Sequence, residues 1–221
     1  MKNWWHYYKW YVICGVIFLC ILIDLAGNAF GWFKKSPDLQ IAYIGEDRLP
    51  EDTVTALQNA FASLAGDYNG DGEVLIQVNQ FVSGSPEDTD ADTASYRQAS
   101  MMTLMGDIND CESYFFLMED PDDVQREFQV LAMPDGSCPD EADYSTENKV
   151  MKWSACPLLL EMDLGDYTTT LVGQPEAGSN QELLAPLYLG RRCFYDERRS
   201  DHADECAKLW NTLKGGMNKY E

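Results

Sequence analysis

Three short apolar runs alternate with helical patterns in the first half of the chain, and this order constrains the fold more than any other feature. The run LQIAYI at 39–44 suits a buried strand that ends at Gly45. EVLIQVNQFV at 73–82 alternates apolar and polar residues, as a half-exposed strand does. Between them, at 51–65, apolar residues recur at intervals of three and four on one helical face: Val54, Leu57, Phe61 and Leu64.

A second helix and a third strand continue the alternation. An acidic loop at 83–93 precedes a helix that we expect to end near Asp107, or to kink at Gly106, with an apolar stripe at Met101, Leu104, Met105 and Ile108. The run CESYFFLMED at 111–120 predicts a strand, and 121–132 predicts a short helix that starts with proline. This order predicts an α/β fold with a mostly parallel sheet and flanking helices.

The pattern is weaker in the second half. Residues 134–150 are rich in Gly, Pro and acids and predict a loop, and 184–196 contain a strand pattern. The tail at 200–213 predicts a helix with one apolar face, formed by Ala203, Cys206, Trp210 and Leu213.

The N-terminal segment differs from the rest. An uninterrupted apolar stretch lies between aromatic residues at both edges of 10–33, as in a bilayer-spanning helix with rings at the headgroups. We therefore predict a signal-anchor transmembrane helix at 10–33, after a short cytoplasmic tail at 1–9 and before an extracellular α/β domain at 36–221. The alternatives are a signal peptide cleaved after Ala29, a reversed anchor with a cytoplasmic domain and, less favoured, a lipoprotein modified at Cys20.

The charge balance excludes one class of partner. Lys and Arg number 16 against 37 Asp and Glu, so the net charge is -21. Such a surface repels the phosphate backbone, and we expect no nucleic-acid partner. The chain is nevertheless 45% apolar and 12% aromatic, which indicates a folded protein and not a disordered acidic chain.

One loop has the spacing of calcium ligands. In DYNGDGEV, Asp67, Asn69 and Asp71 stand at positions one, three and five of a calcium loop, and the Glu73 carbonyl stands at position seven. Position twelve is Val78, where an EF-hand has a bidentate glutamate. The loop predicts a structural Ca²⁺ ion whose missing ligand comes from elsewhere in the fold. The alternative is a polar turn in which Asp and Asn side chains accept hydrogen bonds from their own backbone.

Five cysteines lie outside the N-terminal segment, so they form two bridges at most within one chain. Cys138 with Cys156, and Cys193 with Cys206, are two candidate pairs, and the connectivity stays open. Cys111 opens an apolar run and is expected to be buried and unpaired.

No catalytic constellation is present. Histidine occurs only at His6 and His202, and the sequence has no HExxH, GxSxG or Walker glycine loop. A zinc site at Cys193, His202 and Cys206 is less favoured than a surface histidine beside structural cysteines. Acid runs, such as that at 119–123, indicate helix starts and solvated loops. The pair Arg191 and Arg192 is expected to form internal salt bridges more readily than an anion site.

The segments PDLQIAYIG, EVLIQVNQF, LMGDIND and CESYFFLMED, in this order, resemble the first lobe of type 2 periplasmic solute-binding proteins. They also resemble membrane-anchored extracellular proteins of Gram-positive bacteria that have this lobe behind an N-terminal helix. The resemblance covers about residues 37–130 and implies a single solute-binding-like lobe. About ninety residues follow the third strand, which is too few for a full second lobe and hinge.

These observations predict a membrane-anchored extracellular binding or interaction module with a structural calcium loop, and not an enzyme. Its expected partners are the membrane, through the N-terminal helix, and a small molecule or a membrane protein. The alternative is an accessory or structural subunit of a membrane transporter complex.

Overall fold

The computed structural model describes residues 2–29, 35–84, 91–139, 141–171 and 174–217. The chain divides into two compact units, Met1–Ser36 and Pro37–Glu221.

The first unit contains one long helix, α1 (Lys2–Ala29). Every residue from 10 to 23 in this helix is exposed, although the segment is almost entirely apolar. Residues 30–33 of the predicted membrane span lie outside the described residues. In the parts of the chain that the structure describes, no helix combines the length and apolar character that crossing a membrane requires.

The second unit opens with the predicted alternation of strands and helices, which the structure confirms. Its first elements are β1 (Leu39–Gly45), α2 (Glu51–Leu64), β2 (Ile76–Val82), α3 (Ala91–Asp110), β3 (Phe115–Met118) and α4 (Pro121–Phe128). β1 pairs in parallel with β2 on one side and with β3 on the other. A strand with a neighbour on each side and a helix on each face is buried all round, which explains the continuous apolar run of β1.

The second half completes the sheet and adds a separate hairpin. Its elements are β4 (Val150–Lys152), a 3₁₀ turn (Trp153–Ala155), α5 (Pro157–Leu160), β5 (Asp166–Leu171), β6 (Gln174–Ser179), α6 (Asn180–Leu184), β7 (Tyr188–Arg191) and α7 (Ala203–Met217). The described strands of the main sheet have the order β2-β1-β3-β7-β4. β7 is antiparallel to both of its neighbours, so the other four strands run in one direction. The sheet is mixed and mostly parallel.

Helices cover both faces of this sheet. On one face, Leu57 and Phe61 of α2 and the predicted stripe of α7 pack with Leu39, Ile41 and Tyr43 of β1. On the other face, Leu104 of α3 and Val124 of α4 pack with Ala42 and Ile44. Successive residues of β1 therefore contribute to opposite cores, as the period of a strand requires.

Tertiary contacts shift several boundaries from their predicted places. α3 continues past Gly106, and Met105 on its predicted stripe is 48% exposed. α4 ends at Phe128 because Gln129 has a left-handed backbone, with φ of 51°. The residues after it pair with the end of β7, where the Cys193 N–H donates to the Val130 carbonyl at 2.8 Å. Cys111 does not begin a buried strand, since it is half-buried at the end of α3 with φ of 57°.

Candidate functional site

The predicted calcium loop forms a tight turn whose side chains bond its own backbone. Asp67 Oδ1 accepts from the Gly70 N–H at 2.7 Å, and its Oδ2 accepts from the Gly72 N–H at 2.8 Å. Asn69 Oδ1 accepts from the Asp71 N–H at 2.8 Å. Asp71 Oδ1 accepts from the Glu73 N–H at 2.9 Å. This is the self-bonded polar turn that the sequence offered as the alternative.

The buried carboxylate of Asp38 holds this loop against the sheet. Its Oδ1 accepts from the backbone N–H groups of Tyr68 and Asn69, at 2.7 and 3.0 Å, and its Oδ2 accepts from that of Leu75 at 2.8 Å. β2 begins at Ile76 and not at residue 73, because the Leu75 N–H is bonded to Asp38. Asp38 has no exposed surface, and sequence reasoning missed it.

Hydrogen bonds set the charge state of Asp38. Burial by itself would raise the pKa of this carboxyl. The N–H groups of Leu75, Asn69 and Tyr68, together with the nearby His202, outweigh burial and hold the pKa below its ordinary value of 3.8. Asp38 is therefore an anion at neutral pH, directly behind the predicted calcium loop.

Within the described ranges, no group of three or more His, Cys, Asp or Glu side chains is arranged to hold a metal ion. The zinc hypothesis is not supported, because the Cys193 thiol contacts Cys138 while the ring of His202 packs against Tyr68, with centroids 5.9 Å apart. Ca²⁺ at Asp67, Asn69, Asp71 and Glu73 stays a prediction, since the amide of Asn69 and backbone carbonyls are also calcium ligands.

A crevice lies at the carboxyl ends of the three parallel strands. The chain passes from β1 to β2 on one side and then crosses to β3 on the other, so α2 and α3 cover opposite faces. In open α/β sheets, ligands bind where successive connections diverge in this way. Here the cavity has a volume of about 500 Å³ and is lined by residues that follow β1, β2 and β3 and by residues of α3 and α4.

The floor of the crevice is a network that joins β1 to β3. Glu119 accepts from the Tyr43 hydroxyl at 2.7 Å and from the Glu46 N–H at 2.8 Å. Burial, followed by this bond to Glu119, raises the pKa of the Tyr43 phenol. A side chain at Gly45 would overlap both the Tyr43 ring and the Glu119 carboxylate, so glycine permits this approach. Beside β2, the Arg97 guanidinium packs over Gly84.

The chain matches no family model, and no curated protein or solved structure shows significant similarity to it.

The crevice has an excess of negative charge. Among the described residues that line it, the guanidinium of Arg97 is accompanied by five carboxylates: Glu46, Glu119, Asp120, Asp123 and Glu127. Asp120 caps α4 by accepting from the Asp122 and Asp123 N–H groups at 2.9 and 3.0 Å, as its acid run predicted. Glu87, Asp88 and Asp90 of the acidic loop at 83–93 lie outside the described residues. Glu46, Asp123 and Glu127 are exposed at the rim. The arrangement can attract and orient a cation.

The two predicted arginines have structural roles. Arg192 is 3% exposed and pairs with Asp107, with Nη1 and Oδ1 3.6 Å apart. Arg191 Nη2 donates to the carbonyl oxygens of Met133 and Pro134, at 3.2 and 2.8 Å. The internal salt bridge is confirmed for Arg192. For Arg191, the described part of the chain shows these carbonyl contacts and no salt bridge.

Sequence reasoning did not find the crevice, although two signals for it exist. β1 ends in Gly45-Glu46, and β2 is followed by Ser83-Gly84. Once the strands are known to be parallel neighbours, their carboxyl ends must meet at one edge of the sheet, and the two glycines leave space there.

Proposed function

We propose that this protein is a membrane-anchored extracellular module that binds a small cationic ligand in the crevice at the carboxyl ends of β1, β2 and β3. The single observation that supports this proposal is the 500 Å³ cavity at the point where the connections of the sheet diverge. The proposal is in keeping with the resemblance to a solute-binding lobe.

The charge of the crevice determines the ligand class. A primary ammonium or a guanidinium group is attracted by the rim carboxylates of Glu46, Asp123 and Glu127. Arg97 on the opposite side favours a ligand that also carries a carboxylate or hydroxyl group. A compact amine with a polar tail meets both requirements.

An amine should therefore stabilise the protein. We expect 5-amino-1-pentanol, which carries one ammonium and one hydroxyl group, at about 100 times its Kd to raise Tm by about 5 °C, because a ligand that binds only the folded state shifts the equilibrium. The change Asp123→Asn combined with Glu127→Gln should abolish the shift, as measured by thermal unfolding. Glu147→Gln, at an exposed residue outside the crevice, is the matched control.

An uncharged analogue separates charge recognition from nonspecific binding. 1,5-Pentanediol has the length of 5-amino-1-pentanol but no charge, and we expect it to leave Tm unchanged. Equal stabilisation by the diol and the amino alcohol, or a shift that persists in the double variant, would contradict a cationic site in the crevice.

The anchor part of the proposal is supported by α1. Residues Phe18 and Leu19 are 63% and 58% exposed, and Trp10 and Tyr11 are 66% and 76% exposed. Exposing a continuous apolar surface of this kind to water costs free energy, and contact with lipid removes that cost. Together with the aromatic residues around it, this surface supports attachment of α1 to a membrane, with residues 36–221 outside the cell.

Protease added to intact cells tests this placement. We expect the soluble fragment beyond residue 36 to be released and α1 to remain in the membrane fraction, as detected by antibodies to each part. A cytoplasmic marker protein must stay intact in the same cells. A full-length chain that resists protease in intact cells, but is cut once the cells are opened, would place the domain on the cytoplasmic side.

We also propose that Asp67, Asn69, Asp71 and the Glu73 carbonyl bind a structural Ca²⁺ ion. The proposal is supported by their alternate spacing and by positive φ angles at Gly70 and Gly72, of 75° and 90°, which let the loop wrap around a cation. The negative charge of Asp38 behind the loop adds favourable electrostatics. Because the loop is incomplete as an EF-hand, we assign the ion a stabilising role only.

Calcium should raise the stability of chelator-treated protein. We expect Tm to increase by several degrees in millimolar Ca²⁺ and the Asp71→Ala variant to lose this increase. Asp163→Ala is the matched control, since Asp163 is also exposed and also accepts from a backbone N–H in a turn, that of Gly165 at 3.1 Å. Identical melting curves of the native protein with and without Ca²⁺ would show that the turn needs no ion.

A further inference from the structure

The thiols of Cys138 and Cys193 lie side by side, a pairing that the sequence did not predict. The backbone of 130–132 pairs with that of 191–193: the Ala132 N–H donates to the Arg191 carbonyl at 2.9 Å, and the Cys193 N–H donates to the Val130 carbonyl at 2.8 Å. The chain then turns back, with the Met133 N–H bonded to the Ser137 carbonyl at 2.9 Å. This turn returns Cys138 to the end of β7.

Side-chain contacts fix the two sulfur atoms in this position. The Cys138 thiol neighbours the thiol of Cys193 and the backbone N–H of Phe194. The Cys193 Sγ lies 3.8 Å from the Gln129 carbonyl oxygen, which also accepts from the Tyr195 hydroxyl at 2.7 Å. Cys193 is 4% exposed, and Cys138 is half-buried.

The other cysteines of the second unit have different surroundings. The Cys156 thiol faces the Leu213 carbonyl oxygen at 3.7 Å, and Cys206 is fully buried near Asp38 and Glu205. The candidate pairs Cys138 with Cys156 and Cys193 with Cys206 are therefore replaced by the contact between Cys138 and Cys193.

We propose that Cys138 and Cys193 form a disulfide bond that ties the loop after α4 to the end of β7. Each thiol loses one proton and one electron as the S–S bond forms. The two electrons reduce the disulfide of an oxidant, either a thiol–disulfide oxidoreductase or a small-molecule disulfide, to two thiols. Such a bond persists in the extracellular location proposed above, but it rests on the geometry of the two residues and not on that location.

Burial, and then the neighbouring Cys193, raise the pKa of the Cys138 thiol to about 12. Little thiolate is present in the folded protein at neutral pH, and the thiolate is the attacking species, so uncatalysed bond formation is slow. A catalyst is therefore included in the oxidation that tests the pairing.

Peptide mapping tests the pairing directly. The purified full-length chain is treated with oxidised glutathione and catalytic protein disulfide isomerase, alkylated in denaturant and digested with trypsin. We expect five of the seven cysteines to be alkylated before reduction, and a linked pair of the peptides 127–149 and 193–198. Seven alkylated cysteines, a glutathione adduct at Cys138, or a link to peptide 153–191 or 200–208 would overturn the proposal.

Reductant sensitivity supplies an independent readout. Reduction should lower Tm of the oxidised protein by about 5 to 10 °C, because the bond closes a loop of about 55 residues. The Cys138→Ser variant should show no reductant-dependent shift, whatever its own Tm, while Cys111→Ser should keep the full shift. A reductant effect that survives in Cys138→Ser would refute the assignment. Because the oxidant is added in vitro, neither experiment depends on the cationic ligand or on the cellular location.

Discussion

Replacing Arg192 with Met should lower the free energy of unfolding by about 3–5 kcal/mol. Arg192 and Asp107 each have side chains 2% exposed, and Arg192 Nη1 also donates to the Ser113 carbonyl at 2.8 Å. The guanidinium further contacts the Ile108 carbonyl and lies 5.7 Å over the Phe116 ring. Methionine would leave the Asp107 carboxylate and both carbonyl groups buried without their cationic partner. Urea unfolding of the variant and the native protein measures the loss.

An exposed ion pair provides the matched control. Arg198 Nη2 and Asp196 Oδ2 are 2.9 Å apart, but the two side chains are 63% and 51% exposed. Arg198→Met should therefore change stability too little to distinguish from the native protein, because solvent screens the pair. A second change, Asp107→Leu, should restore part of the stability of Arg192→Met by removing the unpaired charge. Equal effects of Arg192→Met and Arg198→Met would show that burial of the pair has no energetic consequence.

Asp38→Asn should destabilise the protein by about 3 kcal/mol at neutral pH. The carboxylate accepts three backbone hydrogen bonds, from Tyr68, Asn69 and Leu75. Bonds to a charged acceptor contribute more than neutral ones. An asparagine amide places an NH₂ group against at least one of these N–H donors, which would lose its acceptor. Denaturant unfolding at pH 7 measures the effect, and Asp163→Asn in an exposed turn is the control.

The effect of Asp38→Asn should depend on pH in a defined direction. The folded-state pKa of Asp38 lies below the ordinary value of 3.8. Asp38 therefore contributes its full stabilisation above about pH 4, and the contribution falls as the pH decreases through the folded-state pKa. The difference in stability between the native protein and Asp38→Asn should narrow as the pH falls below 4. A difference that grows as the pH falls from 4 to 2 would contradict a lowered pKa.

Elements with a strong hydrophobic period were predicted well. The prediction of the apolar stripe of α2 is confirmed, because Leu57 and Phe61 are fully buried. The prediction for α7 is confirmed as well, because Cys206 and Leu213 are fully buried. The error at Met105 has a physical origin: among the described apolar side chains of α3, Leu104 alone belongs to the buried core, and Met101 and Ile108 pack at its edge. Periodicity shows which residues share a helix face, but it does not show how wide a part of that face the sheet covers.

The second half was predicted poorly because its elements are short and depend on distant partners. β4 has three residues, α5 has four, and the hairpin of β5 and β6 lacks strong apolar alternation. The Thr168 N–H in this hairpin donates to the Asp52 carboxylate of α2 at 3.0 Å. Such elements are stabilised by contacts with the rest of the fold, and their local sequence does not encode them strongly.

The sequence alone determined the order of the first six elements, the faces that α2 and α7 bury, the alternate oxygen donors of the loop at 67–73, and the negative charge of the protein. These features depend on residues within a few positions of one another. Only the tertiary structure showed where the crevice lies and that Asp38 bonds to the loop. It also brought together Arg192 and Asp107, which are 85 positions apart, and Cys138 and Cys193. The reason is that a sheet joins residues distant in sequence, and pairing across strands follows from packing and register that no local pattern encodes.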